Sequence, residues 1–398
     1  MRNEYILNST LFLFVGAGAS QPFDKWLMNE FIDYLIAEIR SQTAPPTGLH
    51  GLLDTIIHYR GRDLENILKE INDIMDKSDY LGDTRRINYI HNVLEGDPER
   101  QKQAMAILSR DARPAITSSS FSRNYSELTK MCNRLRNVIE KMIYDHYGVL
   151  NREKIIEVYD PLVNTLMEIA GEHKFLPIFT TNYDCCFEEY VEEVDFELVD
   201  GFSPTHGGRE VIWKEDTFDN LRLNMAKRYL ILFKLHGSVT WYDDAGVIKY
   251  LSASIHRPSN ERIKNVLIYP AKNKIALDEP FFTAYDYFQR CLDHSDSGVF
   301  IGYSFRDYDT VTKVKSALKF NNKLRLAILS PNADEITLQF FPDFSGRVVP
   351  LSYEFGRKDK QESYLREIRE FLGRKEADHE KQSDYGRAES EKTDSKMR

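Results

Sequence analysis

Short, wholly apolar runs recur along the chain, each closed by turn-forming residues. Leu11–Val15 (LFLFV) ends in Gly16-Ala17-Gly18-Ala19-Ser20. Phe175 to Asn182, Tyr229 to Leu235, Asn265 to Tyr269, Gly298 to Gly302 and Leu324 to Ser330 repeat the pattern. Runs of this length without a polar face read as strands covered on both sides, as in helix-flanked parallel sheets. After the first run, Trp26, Leu27, Phe31, Leu35 and Ile39 fall at helical spacing. The opening unit is therefore strand, glycine loop and helix.

Between about Gly51 and Glu172 the period changes. Leu52, Leu53, Ile56 and Ile57 mark one helix. Leu64, Ile67, Leu68, Ile71, Ile74 and Met75 mark a second, and Leu128, Met131, Leu135, Val138, Ile139 and Met142 a third. Asp160-Pro161 reads as an N-cap and first-turn proline opening a helix that stops near Gly171. The predicted fold class is α/β, a Rossmann-like, doubly wound parallel sheet with a large all-helical insertion after the first strand–helix unit. The expected boundaries are 1–45 and 173–373 for the α/β domain, 46–172 for the helical insertion and 374–398 for a tail. Fourteen of the last 25 residues are charged, seven of each sign, so that tail is expected to stay disordered.

Composition narrows the function. The 398 residues carry 53 Lys+Arg against 62 Asp+Glu, a net charge of −9. That balance opposes direct binding of nucleic acid or an anionic membrane surface. Cys132, Cys185, Cys186 and Cys291 are too few for a disulfide scaffold and form no C-x-x-C pair, so no zinc or other metal site is expected. No secretory leader or membrane span is evident, and a cytoplasmic location is expected.

In open α/β sheets, ligands bind outside the carboxyl ends of the strands. Polar and small residues cluster there repeatedly: Gly16 to Ser20, Thr180 to Asp184, His236-Gly237-Ser238, Gly302 to Phe305, and Ser330 to Asn332. Five such ends suggest one polar ligand spread along the sheet's edge. The glycine loop alone is ambiguous. Glycine lets a phosphate approach the backbone, and a following helix offers free N–H groups. Yet Gln21 stands where a dinucleotide fingerprint has its third glycine, and a tight strand-to-helix turn explains the loop equally well. His236 follows an apolar strand and could take a proton near neutral pH, or simply tie down its loop. His206-Gly207 repeats the dipeptide without a preceding buried strand, which favours His236. Asp184 could cap the helix around Phe187, Tyr190 and Val191. The Asn182 carboxamide is expected to point from its strand end into the crevice.

The order Gly-Ala-Gly-x-Ser, Thr-x-Asn-x-Asp, His-Gly and Gly-x-Ser (Gly16 to Ser20, Thr180 to Asp184, His236-Gly237, Gly302 to Ser304) resembles the sirtuin NAD-binding core. The wording TTNYD, KLHGS and GYSF-x-D is more similar to the bacterial sirtuin-like branch of anti-phage systems. The resemblance covers about 11–40 and 175–335. It implies NAD+ as substrate. Gly16, Ala17, Gly18 and Ser20 would hold the pyrophosphate. Asn182 and His236 would be the catalytic pair at the nicotinamide ribose, with Asp184 at the carboxamide or its loop. Gly302 and Ser304 would lie along the adenosine half, with Thr181 and Asn332 as further strand-end contacts. Sirtuin deacylases carry a zinc ribbon of two C-x-x-C pairs and a Pro-Asp-Phe-Arg type segment. Here the cysteine pairs are missing and only Phe23-Asp24 echoes the segment. The departures favour NAD+ hydrolysis to nicotinamide and ADP-ribose, in an abortive-infection effector, over protein deacylation or non-catalytic NAD or ADP-ribose binding. The helical insertion, with several apolar faces, could supply the contacts of a homo-oligomer, close over the NAD site as a lid or stand as a plain helical subdomain; the resemblance itself implies a HerA-type ATPase or another defence partner.

Overall fold

The computed structural model describes residues 9–41, 48–75, 118–148, 150–205, 210–224, 226–251, 263–267 and 279–373. The expectations for His206, for Tyr269, for the leader and for the 374–398 tail lie outside them.

Seven parallel strands form the main sheet: β1 Leu11–Val15, β2 Phe175–Thr180, β3 Glu197–Val199, β6 Tyr229–Lys234, β10 Ser297–Ile301, β11 Arg325–Leu329 and β12 Val348–Leu351. Their spatial order is β12-β11-β10-β1-β2-β6-β3. From β1 the chain adds β2, passes to the edge strand β3 and inserts β6 between the two, then crosses to the other side of β1 at β10, which makes β1 the point where strand order reverses. The fold is α/β, as the apolar runs predict.

Side-chain alternation explains the two-sided burial. Leu11, Leu13, Val15, Leu176, Ile178, Leu230, Leu232, Val299 and Ile301 face helices Arg152–Ala170, Cys186–Val191 and Lys358–Leu372. Phe12, Phe14, Phe179, Phe233, Phe300 and Ile328 face helices Phe281–His294, Tyr308–Phe320 and Ala333–Phe340. The second face is dense in aromatic rings. Phe14 stacks on Phe300 at 4.8 Å between centroids, Phe179 on Phe233 at 5.0 Å, and Phe288 meets Phe14 and Phe179 at 5.1 Å each. Pro350 sits in β12, an edge strand, where a missing N–H leaves no ladder bond unmade on the open side.

Several expectations change. A second, antiparallel sheet in the order β4-β5-β8-β7-β9 branches from the first, with β4 Phe202–Pro204, β5 Val211–Trp213, β7 Gly237–Asp244, β8 Val247–Tyr250 and β9 Ile263–Leu267. The Asn265 run belongs to this sheet and pairs antiparallel with β7, not with the parallel strands. Pro161 lies inside the Arg152–Ala170 helix, and its N-cap is Asn151, whose side chain accepts from Lys154 N at 3.2 Å. Asp160 instead accepts a hydrogen bond from Tyr190 Oη at 2.9 Å.

Helix Met28–Ser41 buries Phe31, Ile32, Leu35 and Ile39 against helices Gly48–Arg60, Leu64–Met75 and Ser118–Tyr147, away from the sheet. Helix Arg152–Ala170 packs on the sheet. The helical cluster thus includes helix Met28–Ser41, whereas helix Arg152–Ala170 belongs to the core on the sheet.

Candidate functional site at the carboxyl rim of the sheet

Register sets the rim. Val15 pairs with Thr180 and with Ile301, Thr180 with Lys234, Ile301 with Leu329, and Leu329 with Leu351. All these strands therefore end at one level. Main-chain bonds continue past the ends: Gly16 N to Ile301 O (2.9 Å), Thr181 N to Val15 O (3.1 Å), Leu235 N to Thr180 O (2.8 Å) and Gly302 N to Leu329 O (2.9 Å). Asn182 and His236 each lie two residues beyond a paired position on adjacent strands, β2 and β6. Gly302 and Asn332 lie along the same edge.

The glycine loop is filled on its inner side. A Cβ on Gly16 would meet Gly302 O at 2.7 Å, and one on Gly18 would meet Gly302 Cα at 2.9 Å. Gly302 itself has φ +60, and its Cβ would lie 2.2 Å from Ala19 N. Gly18 N donates to Gly302 O at 2.9 Å. These glycines let two loops touch backbone to backbone. What faces outward from the loop is exposed Ala17 and half-buried Gly18. The loop also enters a short 3₁₀ turn, Ala17–Phe23, and the long helix begins only at Met28. The helix N-terminus expected at the loop is therefore absent there.

Asn182 does not project into an open crevice, as its strand-end position predicts. Its Nδ2 donates to Gly16 O at 3.0 Å and to Ser20 Oγ at 2.8 Å, and its main-chain N donates to Thr180 Oγ1 at 3.0 Å. Its Oδ1 is buried without a hydrogen-bond partner. Ser20 Oγ donates to Asp184 Oδ2 at 2.6 Å, while Asp184 Oδ1 accepts from Cys186 N at 3.1 Å. The N-cap of the Cys186–Val191 helix is Cys185, so Asp184 is not the cap that the sequence suggests; one residue earlier, it holds the helix's first N–H and links it to the glycine loop. Thr181 and Gly302 are half-buried, and Ser304 and Asn332 are exposed.

His236 is 7% exposed and occupies the two-residue turn between the parallel β6 and the antiparallel β7. Gly237 makes that turn possible: its φ is +86, and a Cβ would fall 2.0 Å from Val266 O. Burial lowers the His236 imidazole to about 4, and the Asp307 carboxylate opposes the shift. At neutral pH the ring is uncharged and able to accept a proton. Asp307 caps the Tyr308–Phe320 helix, accepting from Asp309 N at 3.0 Å and Thr310 Oγ1 at 2.7 Å. β6 and β10 are three places apart, about 14 Å at ordinary strand spacing. For Asp307 to act on His236, the segment after β10 must bend back over the rim. Phe305 in that segment adopts φ +53, a left-handed conformation uncommon for a bulky residue.

Sequence reasoning missed Lys234, whose side chain is 1% exposed. It pairs with Glu188 Oε1 at 2.9 Å and donates to the Asp184 carbonyl. The signal was one cation inside the otherwise apolar YLILFKL run. Lys25, just after the 3₁₀ turn, was also missed. Its Nζ donates to His146 O, and burial lowers its pKa against the pull of Cys186 and Asp184. The helical cluster reaches the rim through Cys185, Val239 and Tyr183. Burial raises the Cys185 thiol to about 12, which makes it a packing group and not a nucleophile. A groove of about 470 Å³ between helices Met28–Ser41 and Ser118–Tyr147 is lined by Trp26, Glu38 and His146 among others, and Lys25 touches its wall through His146; Asn182 and His236 do not line it.

Among the described residues, no group of three or more His, Cys, Asp or Glu side chains could hold a metal ion. No described helix is long and apolar enough to cross a membrane. No curated protein matches the chain. Among solved structures, a Sir2 homologue mutant in complex with 2′-O-acetyl ADP-ribose is 10% identical, with a TM-score of 0.40 over 93% of this chain and 96% of that one. A Sir2 homologue–NAD complex is also 10% identical, with a TM-score of 0.37 over 93% of each chain. A Sir2 homologue mutant with ADP-ribose is 9% identical, with a TM-score of 0.39 over 94% and 97%. At such scores these likenesses carry no argument, and the fold rests on the strand order above. Residues 177–343, which include Asn182, His236, Gly302, Ser304 and Asn332, match the family described as SIR2-like domain.

Proposed function

We propose that the rim binds NAD+ and hydrolyses its nicotinamide–ribose bond, releasing nicotinamide and ADP-ribose. The observation that carries the reading is the placement of Asn182 and His236 at one level on adjacent strands, within a stretch that matches a SIR2-like domain. The residues fit such a substrate in two respects. Asn182 Oδ1 is a buried acceptor with no partner, suited to a ribose hydroxyl. His236 is neutral, so it can accept the proton of an attacking water.

In this reading the C1′–N bond breaks with its electron pair leaving on nicotinamide, which departs neutral. The ribose becomes an oxocarbenium-like cation, water bonds to C1′, and the water proton passes to His236. Nicotinamide is already a good leaving group, so the protein mainly holds the ribose, excludes bulk water and admits one nucleophile. Asn182 is 8% exposed. A ribose hydroxyl would reach its Oδ1 as the Gly16–Ser20 loop shifts on binding, with Ala17, Gly18 and Ser20 then along the pyrophosphate. Asp184 orders that loop through Ser20, and Thr181, Gly302, Ser304 and Asn332 would border the remainder of the dinucleotide. The absence of C-x-x-C pairs from the sequence favours hydrolysis over zinc-ribbon deacylation. An anti-phage role, self-association through the helical cluster, a HerA-type ATPase partner and a cytoplasmic location belong to the same proposal.

The test is product analysis after incubation with NAD+. Wild type should release nicotinamide, and Asn182→Ala and His236→Ala should each lower the rate by about 10²- to 10⁴-fold. Turnover of an acetyl-lysine peptide, with no nicotinamide released in its absence, would establish deacylation instead. Binding without turnover, indifferent to His236→Ala, would make the chain a nucleotide-binding module.

A further inference from the structure

We propose that Lys234 is the positioning residue that locks the Asn182 loop to the His236 turn, and that this lock sets the geometry at the nicotinamide ribose. The inference rests on the NAD+ reading above and names a residue outside the candidate site set.

Lys234 ends β6 and pairs in register with Thr180, the last residue of β2. Two residues past Lys234 comes His236, and two past Thr180 comes Asn182. The ammonium group reaches across this junction, donating to the Asp184 carbonyl and pairing with Glu188 Oε1 at 2.9 Å. Asp184 continues the chain of contacts through Ser20 to Asn182 Nδ2. From the other side, Val239 N donates to Tyr183 O at 3.0 Å, tying the same loop to β7 just beyond His236. One buried cation thus joins the loop that carries one proposed catalytic side chain to the strand that carries the other.

A purely structural role explains the lysine poorly. Moving an ammonium and a carboxylate out of water is costly, and apolar residues of similar volume often replace such pairs at no loss of stability. An apolar side chain would suit the interior of YLILFKL better. What it could not supply is a donor to the Asp184 carbonyl.

That contrast defines the test. The double substitution Lys234→Met with Glu188→Leu removes both charges and leaves neither stranded, so the protein should fold. Lys234→Met alone leaves the half-buried Glu188 without its partner and should unfold more easily. Two quantities are read in the double variant. Amide hydrogen exchange of segment 181–186 should rise about ten- to a hundredfold, as follows loss of a hydrogen bond to a charged group. Exchange in Arg325–Leu329, across the sheet, should stay at the wild-type rate. NAD+ cleavage should lose about 10²-fold in kcat with a much smaller change in KM, the signature of a misplaced reacting geometry. Wild-type exchange together with wild-type kcat would overturn the proposal, as would equal losses of exchange protection across the whole sheet. If wild type itself releases no nicotinamide, the NAD+ reading fails, and the exchange measurement still decides whether Lys234 locks the loop.

Discussion

Substituting Gly302 by alanine tests the close contact on which the rim depends. Gly302 adopts φ +60, and placing a Cβ-bearing residue in that left-handed region costs roughly 1–2 kcal/mol. The new methyl would also lie 2.2 Å from Ala19 N and 2.5 Å from Gly18 C, both main-chain atoms that cannot rotate away. The two loops must separate, which breaks the 2.9 Å bond from Gly18 N to Gly302 O at a further cost of about 1 kcal/mol. The expected total is about 2–3 kcal/mol. Gly246 supplies the control. Its φ is +87, but nothing lies within 4 Å of a Cβ there, so Gly246→Ala should cost only the backbone strain. Urea unfolding of the two variants against wild type isolates the contact. If Gly302→Ala is no more destabilising than Gly246→Ala, the loops do not touch as described.

Other outcomes follow from the same structure. His236 is neutral when folded, with its pKa lowered from 6.5 to about 4, so stability is full above about pH 6.5 and falls as pH drops toward 4. Between about pH 7 and pH 5 the loss from this group should be about 2 kcal/mol in urea unfolding, and His236→Gln should remove it. Asp307→Asn keeps a helix-capping side chain but deletes the charge that raises the His236 pKa. The acid limb of the NAD+ cleavage profile should then move to lower pH; a move to higher pH would contradict the pairing. Phe288→Ala empties a site among Phe12, Phe14 and Phe179 and should cost about 3–5 kcal/mol by denaturant unfolding.

Strands buried on both faces were legible because their apolar runs carry at most one charged residue, near an end: LFLFV, YLILFK and RLAIL read as parallel strands and are. The antiparallel sheet was not. Its strands Phe202–Pro204 and Val211–Trp213 are short and only partly buried, and the longer Gly237–Asp244 mixes Ser, Thr and Asp among its apolar residues, so none offers a sustained apolar run. Asn265 to Tyr269 shows the converse, an apolar run whose sheet partner cannot be read from its own residues. Pro161 misled because a proline near an acidic residue resembles a helix start, whereas tertiary packing of Tyr159, Leu162, Val163 and Leu166 carries the helix through it. At the rim, the sequence marked residues that follow strand ends at one level but not the directions of their side chains. Asn182 turns under the glycine loop instead of outward, and Gly16 and Gly18 serve contact with Gly302. Such facts depend on neighbours more than a hundred residues away.

The decisive measurement is a crystal structure of the protein soaked with ADP-ribose. The account predicts density along the carboxyl edge from β1 to β6, with the terminal ribose within hydrogen-bond distance of both Asn182 and His236. Density bound elsewhere, for instance in the groove beside Trp26 and His146, or contacting only one member of the pair, would contradict it.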